Sequence, residues 1–309
     1  MYSIFLGLTP FIFITLLGFI FGRLKIFDLS HAKVLNLFLF YVAVPALIIK
    51  FVAQSEIAQV DIKQIISYFL MQASLGLLTF FVTSKLFKRP IPESIIWSLM
   101  VSLSNHVTLL LPITKIYFGT EVITQVTSII LMDGVILLSV ITFFLELTTK
   151  KNIKLLFFLR NVTFNPMIFS ILIGLLLFIF NYKIDNTPID YVLSVLAACV
   201  SPVGLFAIGI TLSFYTHKVI NKLTSTISIL KLAISPLILL IIAFIFFDAG
   251  LPEKIPGAFF VSVAPCGHTA VVLCSAYNVS PENIIKALFI STFASIGTIF
   301  FAIQYLQVA

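Results

Sequence analysis

The chain has 309 residues, 60% of them hydrophobic and 10% charged, with a formal net charge of +7. A soluble domain carries about 25% charged residues, and a water-exposed surface cannot hide so much apolar area, so the composition excludes a soluble globular fold and points to a lipid bilayer. The basic residues sit in short loops between apolar runs, as at Lys85, Lys88 and Arg89, which is a membrane-protein pattern and not a basic groove for nucleic acid.

A bilayer crossing needs about 20 predominantly apolar residues. The first run, 3–22, has no charged leading segment and no small-residue cleavage site behind it. It therefore reads as a span and not as a removable signal. Further spans are predicted at 34–53, 64–86, 94–118 and 122–145. The fourth is unusual, because Asn105, His106 and Thr108 gather at its centre and Pro112 follows. The fifth carries Asp133, a carboxylate deep in an apolar run and a candidate ion ligand or proton carrier by default. A linker at 149–163 then divides the chain nearly in half.

Five more spans are predicted at 164–182, 189–214, 225–247, 256–277 and 284–306. Lys231 lies about six residues into the eighth, where it can snorkel or serve as a partner for Asp133 or for substrate. Lys115, near one end of the fourth, reads the same way. The ninth span contains Pro265, Cys266, Gly267 and His268 in succession. Proline removes a backbone donor and glycine relaxes the backbone, so the fourth and ninth spans are both predicted to break near mid-membrane. Half-helix N-termini exposed there would favour an anionic group. His106 and His268 fall in the two breaks, and imidazole titrates near neutral pH.

Alternate loops differ in charge. One set holds thirteen of the 19 Lys and Arg residues, the other set and the termini hold five, and Lys231 lies within a span. The positive-inside rule then puts both termini outside the cytoplasm. The two halves also resemble each other. Pro10-Phe11-Ile12-Phe13 with Gly18 recurs as Pro166-Met167-Ile168-Phe169 with Gly174, Pro45 answers Pro202, and Val101-Ser102 answers Val261-Ser262. Five spans is an odd number, so the second copy enters the membrane from the other side. The expected fold is all-α and integral to the membrane: ten transmembrane helices in two inverted repeats, 1–148 and 164–309, with broken helices 4 and 9 crossing at mid-membrane. Many secondary transporters are built in this way.

Cys199, Cys266 and Cys274 fall inside apolar segments and read as small buried hydrophobes, with no metal spacing among them. No nucleotide-binding or zinc-hydrolase motif occurs, so neither a cofactor nor ATP coupling within the chain is expected. A membrane sensor would need an output domain, and an intramembrane enzyme would need a catalytic pair beyond Asp133 and two histidines. A cation-coupled carrier of a non-carboxylate solute, centred on Asp133, stays open.

The segments Leu35-Asn36 with Phe40 to Leu47, Asn165-Pro166 with Gly174-Leu175-Leu176, and Pro202 to Gly209 with Thr211-Leu212 occur in that order. With Asn105, Pro112, Lys115 and Gly119, and then Pro265, Gly267, Tyr277-Asn278-Val279 and Pro281, the chain resembles the auxin efflux carrier family, including its bacterial permeases. The resemblance implies a scaffold half (spans 1, 2, 6 and 7) and a transport half (spans 3–5 and 8–10). It also implies a substrate site at the crossing of spans 4 and 9, an organic anion as substrate, a homodimer, and H+ or Na+ as candidate coupling ions. On that basis Asn105, His106, Thr108, Pro112, Pro265, Cys266, Gly267 and His268 are the expected substrate-binding residues, and Asp133 and Lys231 the coupling residues. His106, Thr108 and the Cys266-Gly267-His268 run depart from the family's usual residues.

Overall fold

The computed structural model describes residues 2–53, 61–149, 166–180, 182, 184–215, 220–247 and 251–308. The expected linker, 149–163, lies outside the described residues from 150 onward. The described residues form helices, and the β-like feature among them is an isolated antiparallel bridge between Ser104 and Cys266.

Helix α1 (Tyr2–Arg23) ends where Lys25 takes a φ of 59°. Asp28 then caps α2 (Leu29–Phe38), its carboxylate accepting from the N–H groups of Ser30 and His31 at 2.8 and 3.1 Å. The Ser30 hydroxyl, at 2.6 Å, and then these backbone bonds hold the exposed Asp28 carboxyl well below the usual carboxylate range. A π turn, Leu39–Ala43, joins α2 to α3 (Val44–Ala53). Asp61 caps α4 (Ile62–Phe81), which runs into a second π turn, Val82–Leu86. Next come α5 (Ile91–Ser102), a π turn (His106–Leu110), α6 (Leu111–Tyr117), α7 (Thr120–Met132), another π turn (Asp133–Leu137) and α8 (Leu138–Thr149).

The second half contains α9 (Pro166–Ile179), α10 (Pro188–Ala198) and α11 (Val200–Ser213). A π turn (Leu230–Ile234) joins α12 (Lys222–Ile229) to α13 (Ser235–Phe247). Last come α14 (Pro256–Ser262), α15 (Thr269–Ala276) and the long α16 (Glu282–Val308). Among the described residues, five continuous stretches are long and apolar enough to cross a membrane: Leu29–Lys50, Ile62–Leu86, Pro188–Ser213, Lys222–Phe247 and Glu282–Gln307. The remaining apolar helices are shorter, two of them because α5 and α14 stop at the predicted breaks.

Packing divides the helices into two groups. In one, α1 lies along α11 and α9 lies along α3, with α2 and α10 beside them. The α1–α11 contact is a backbone-to-backbone approach at glycine: a Cβ on Gly209 would sit 2.1 Å from the Thr15 carbonyl oxygen. In the other group α4 packs between α5 and α13, α12 lies on α16, and α14 lies on α7. Trp97, Tyr68 and Phe260 are fully buried within this second group. The first turn of α14 is pinned by its neighbours: Gln125 Oε1 accepts from the Gly257 N–H at 2.9 Å, and Gln64 Oε1 accepts from that of Ala258. Side chains of α7 and α4 thus satisfy donors that a helix start leaves without partners.

Candidate functional site

Two helices stop against each other. After α5, Leu103 is extended (φ −79°, ψ 123°) and Asn105 leaves the helical region (φ −79°, ψ 56°). After α14, residues 263–268 form no helix, and α15 starts at Thr269. The two breaks meet through their backbones: the Asn105 N–H donates to the Pro265 carbonyl at 3.0 Å and the Gly267 N–H to the Met100 carbonyl at 3.1 Å. Proline can offer only a carbonyl, and that is the group the pairing uses. At Gly267 a Cβ would lie 2.7 Å from the Leu103 carbonyl oxygen, so the close approach requires glycine. Unwound backbone at such depth is tolerated where protein satisfies it, and here each break partly satisfies the other.

Side chains tie the crossing to α4 and to the π turns. Ser104 Oγ donates to the Val261 carbonyl (2.9 Å), receives the Lys231 ammonium (2.7 Å) and lies 3.2 Å from the Tyr68 hydroxyl. Asp133 accepts from the Gln72 amide through Oδ1 and meets His106 Nε2 through Oδ2, each at 2.7 Å. The same Gln72 amide donates to the Ser102 carbonyl at 3.1 Å. His106, Asp133 and Lys231 each lie in a π turn, a local widening of the helix with i→i+5 bonds that recurs at functional positions. Lys231 does not snorkel, since it is fully buried.

One buried group lacks a protein partner in a telling place. Asn105 is 2% exposed, and neither its amide nitrogen nor its amide oxygen has a hydrogen-bond partner. His106 Nδ1 is also unpartnered. A buried amide left unpaired costs about 1–3 kcal/mol, so these atoms are suited to a ligand or to water. Asn105, His106, Asp133, His268 and Asn36 line a common cavity of about 70 Å³, room for a few waters or a small solute.

The residues expected from the sequence thus divide. Asn105, His106, His268 and Asp133 share the cavity. Pro265, Cys266 and Gly267 form the backbone of the crossing, with the Cys266 N–H donating to Ser291 Oγ at 3.3 Å. Pro112 sits in the first turn of α6 and lines a different cavity. Lys231 bonds to Ser104, and the side chain of Thr108 is outside what is described. Sequence reasoning missed Tyr68, Gln72, Ser104 and Asn36. A signal for two of them was present: Gln64, Tyr68, Gln72 and Gly76 recur every four residues in the third apolar run, a polar stripe on one face of a helix.

The family model for membrane transport proteins matches residues 3–303, nearly the whole chain. The chain belongs to the auxin efflux carrier family. It is therefore a multi-pass membrane transporter or permease, of a family that transports and does not catalyse. No curated protein matches the sequence. For a member of this family, a broken-helix crossing with an unpaired buried amide beside a cavity is the natural place to look for substrate.

Proposed function

We infer that the protein is a secondary active carrier of a small organic anion, a carboxylate, and that it works by alternating access across the plasma membrane. The observation that carries this reading is Asn105. Its amide is buried and unpaired, it faces the cavity, and it stands where the two breaks hydrogen-bond to each other. The half-helices starting at His106 and Thr269 both begin at the crossing, so their N-terminal dipole ends add positive potential for an anion there.

The chain is built from inverted five-span repeats, 1–148 and 164–309, ten spans in all, with both termini outside. Two features support that reading. The contact of α1 with α11 is matched by that of α9 with α3, as an exchange of first with sixth and second with seventh spans would produce. The charge asymmetry of the loops supports the orientation. The α1–α3 and α9–α11 group is the scaffold, and the remaining helices carry the substrate site past it; the working unit is a homodimer.

Coupling runs through Asp133, held by Gln72 and His106 beside the substrate cavity, with H+ or Na+ as the driving ion. Buried Lys231, fixed on Ser104, keeps a positive charge behind the crossing. Uptake of a labelled carboxylate panel into proteoliposomes, under imposed pH, sodium or voltage gradients, tests this function. Gradient-dependent accumulation of at least one carboxylate is expected; exchange or accumulation of none would overturn it.

A further inference from the structure

Both carboxylate oxygens of Asp133 are engaged: Oδ1 accepts from the Gln72 amide, and Oδ2 lies 2.7 Å from His106 Nε2. An ionised carboxylate can only accept, so the short contact puts the imidazole proton on Nε2 and leaves Nδ1 as a bare acceptor. Nδ1 is buried and has no protein partner, while the His106 side chain lines the crossing cavity next to Asn105. In this state the pair carries the one negative charge of Asp133. Uptake of a proton on Nδ1 changes two properties at once. The pair becomes neutral overall, and a lone pair becomes an N–H donor. A carboxylate at Asn105 then has a donor beside it and no net charge to oppose it.

Neighbouring ionisable groups are placed differently. The π turn of His106 packs on α6, α7 and α11. Helix α11 has no ionisable side chain, α7 carries Glu121 in its first turn, and Lys115 of α6 lines a separate cavity. His268 lines the crossing cavity from the ninth span. Lys231 and Tyr68 are fully buried and both meet Ser104 Oγ, at 2.7 and 3.2 Å.

The same contacts disfavour Na+. Carriers with broken helices hold Na+ on unwound carbonyls and half-helix ends. Here those carbonyls already accept from protein donors: Met100 from the Gly267 N–H, Ser102 from Gln72, Val261 from Ser104 and Val263 from Thr298. The Lys231 ammonium, on Ser104, is a resident cation beside them.

We propose that the coupling ion is H+, that it loads on His106 Nδ1, and that one proton and one carboxylate are carried together. The proposal rests on the anion-carrier reading and names the ion that drives it. Cavity water delivers the proton to Nδ1 on one side, and the proton leaves with the solute on the other. Asp133 is the fixed charge that makes an unprotonated ring reject the anion. Because the bound state holds the extra proton, affinity falls as pH rises.

The test is equilibrium binding of acetate, pyruvate and malonate to the full chain in nanodiscs, from about pH 7 to about pH 9, where these probes stay ionised. Calorimetry in buffers of different ionisation enthalpy counts the protons taken up. Wild type should take up about one proton per carboxylate, with affinity falling toward tenfold per pH unit at the alkaline end. Replacing Na+ by choline should change nothing. In Asp133→Asn the neutral ring can keep its own proton on Nδ1 and needs none from solution, so binding should persist and lose its pH slope. In His106→Gln binding should be weak and equally flat. A flat wild-type profile, a slope kept by Asp133→Asn or His106→Gln, or a requirement for Na+ would overturn the proposal. So would a slope removed by His268→Gln in a protein that still binds. Carboxylate binding without proton uptake overturns this proposal alone; binding of none of the three overturns the anion-carrier reading with it.

Discussion

Replacing Asp133 by Asn separates charge from shape at the centre of the site. The carboxylate accepts from Gln72 and meets His106, both at 2.7 Å. An asparagine can keep both contacts. Its oxygen accepts from the Gln72 amide, and its NH2 donates to His106 Nε2 once the ring carries its proton on Nδ1, the nitrogen that has no protein partner. The exchange turns two charge-assisted bonds, about 1.5–3 kcal/mol each, into two neutral ones of about 0.5–1.5 kcal/mol. The relief of no longer burying a charge offsets part of that loss. The net cost to folding should stay within about 2 kcal/mol. Asp133→Ala behaves differently, because it strands one N–H of the Gln72 amide, the other staying on the Ser102 carbonyl, and His106 Nε2, at about 1–3 kcal/mol each.

The expected order is therefore a small fall in Tm for Asn, a large fall for Ala, and loss of gradient-driven accumulation in both. Equilibrium binding of the carboxylate should survive in the Asn variant. Thermal unfolding in detergent, binding at equilibrium, and uptake with pH or sodium gradients together read these outcomes. Full gradient-driven accumulation by Asp133→Asn would refute the coupling role and leave Asp133 as a structural residue.

Other expectations follow from the same geometry. Gly267→Ala places a methyl 2.7 Å from the Leu103 carbonyl oxygen; overpacking of this kind costs about 1–3 kcal/mol, so Tm and uptake should fall together, and unchanged uptake would mean that the crossing tolerates separation. Gly209→Ala should lower Tm by pushing α11 off α1, without altering substrate affinity in the protein that remains folded; an unchanged Tm would contradict the close approach. Single cysteines at Lys254→Cys and Lys151→Cys should be labelled from outside intact cells at the first position and shielded at the second; the reverse pattern would invert the orientation.

Much of this was legible in the sequence, and the residues show why. Pro265 and Gly267 announce a break because proline cannot donate and glycine has no Cβ, and the structure uses both properties in the backbone pairing. Asn105 stood out as an amide in an apolar run. The pairing of His106 with Asp133 was not legible, because it depends on π turns at 106–110 and 133–137 that rotate both side chains toward one cavity. A π turn leaves no mark in a period of apolar residues. Lys231 was open to a snorkelling reading from its position near a span end, yet the fold brings Ser104 from the break of the fourth span to meet it. Gln72 was overlooked because one glutamine among apolar residues gives no sign of its partner, although the four-residue stripe containing it was visible.

The position of the bound solute decides whether the crossing is the transport site. A structure determined by electron microscopy in lipid nanodiscs, with the carried carboxylate bound, measures that position. The anion is predicted to lie against the Asn105 amide at the meeting of the two breaks, with Asp133 and His106 within one further layer of contacts. A carboxylate bound far from both Asn105 and Gly267 would contradict the crossing as the transport site.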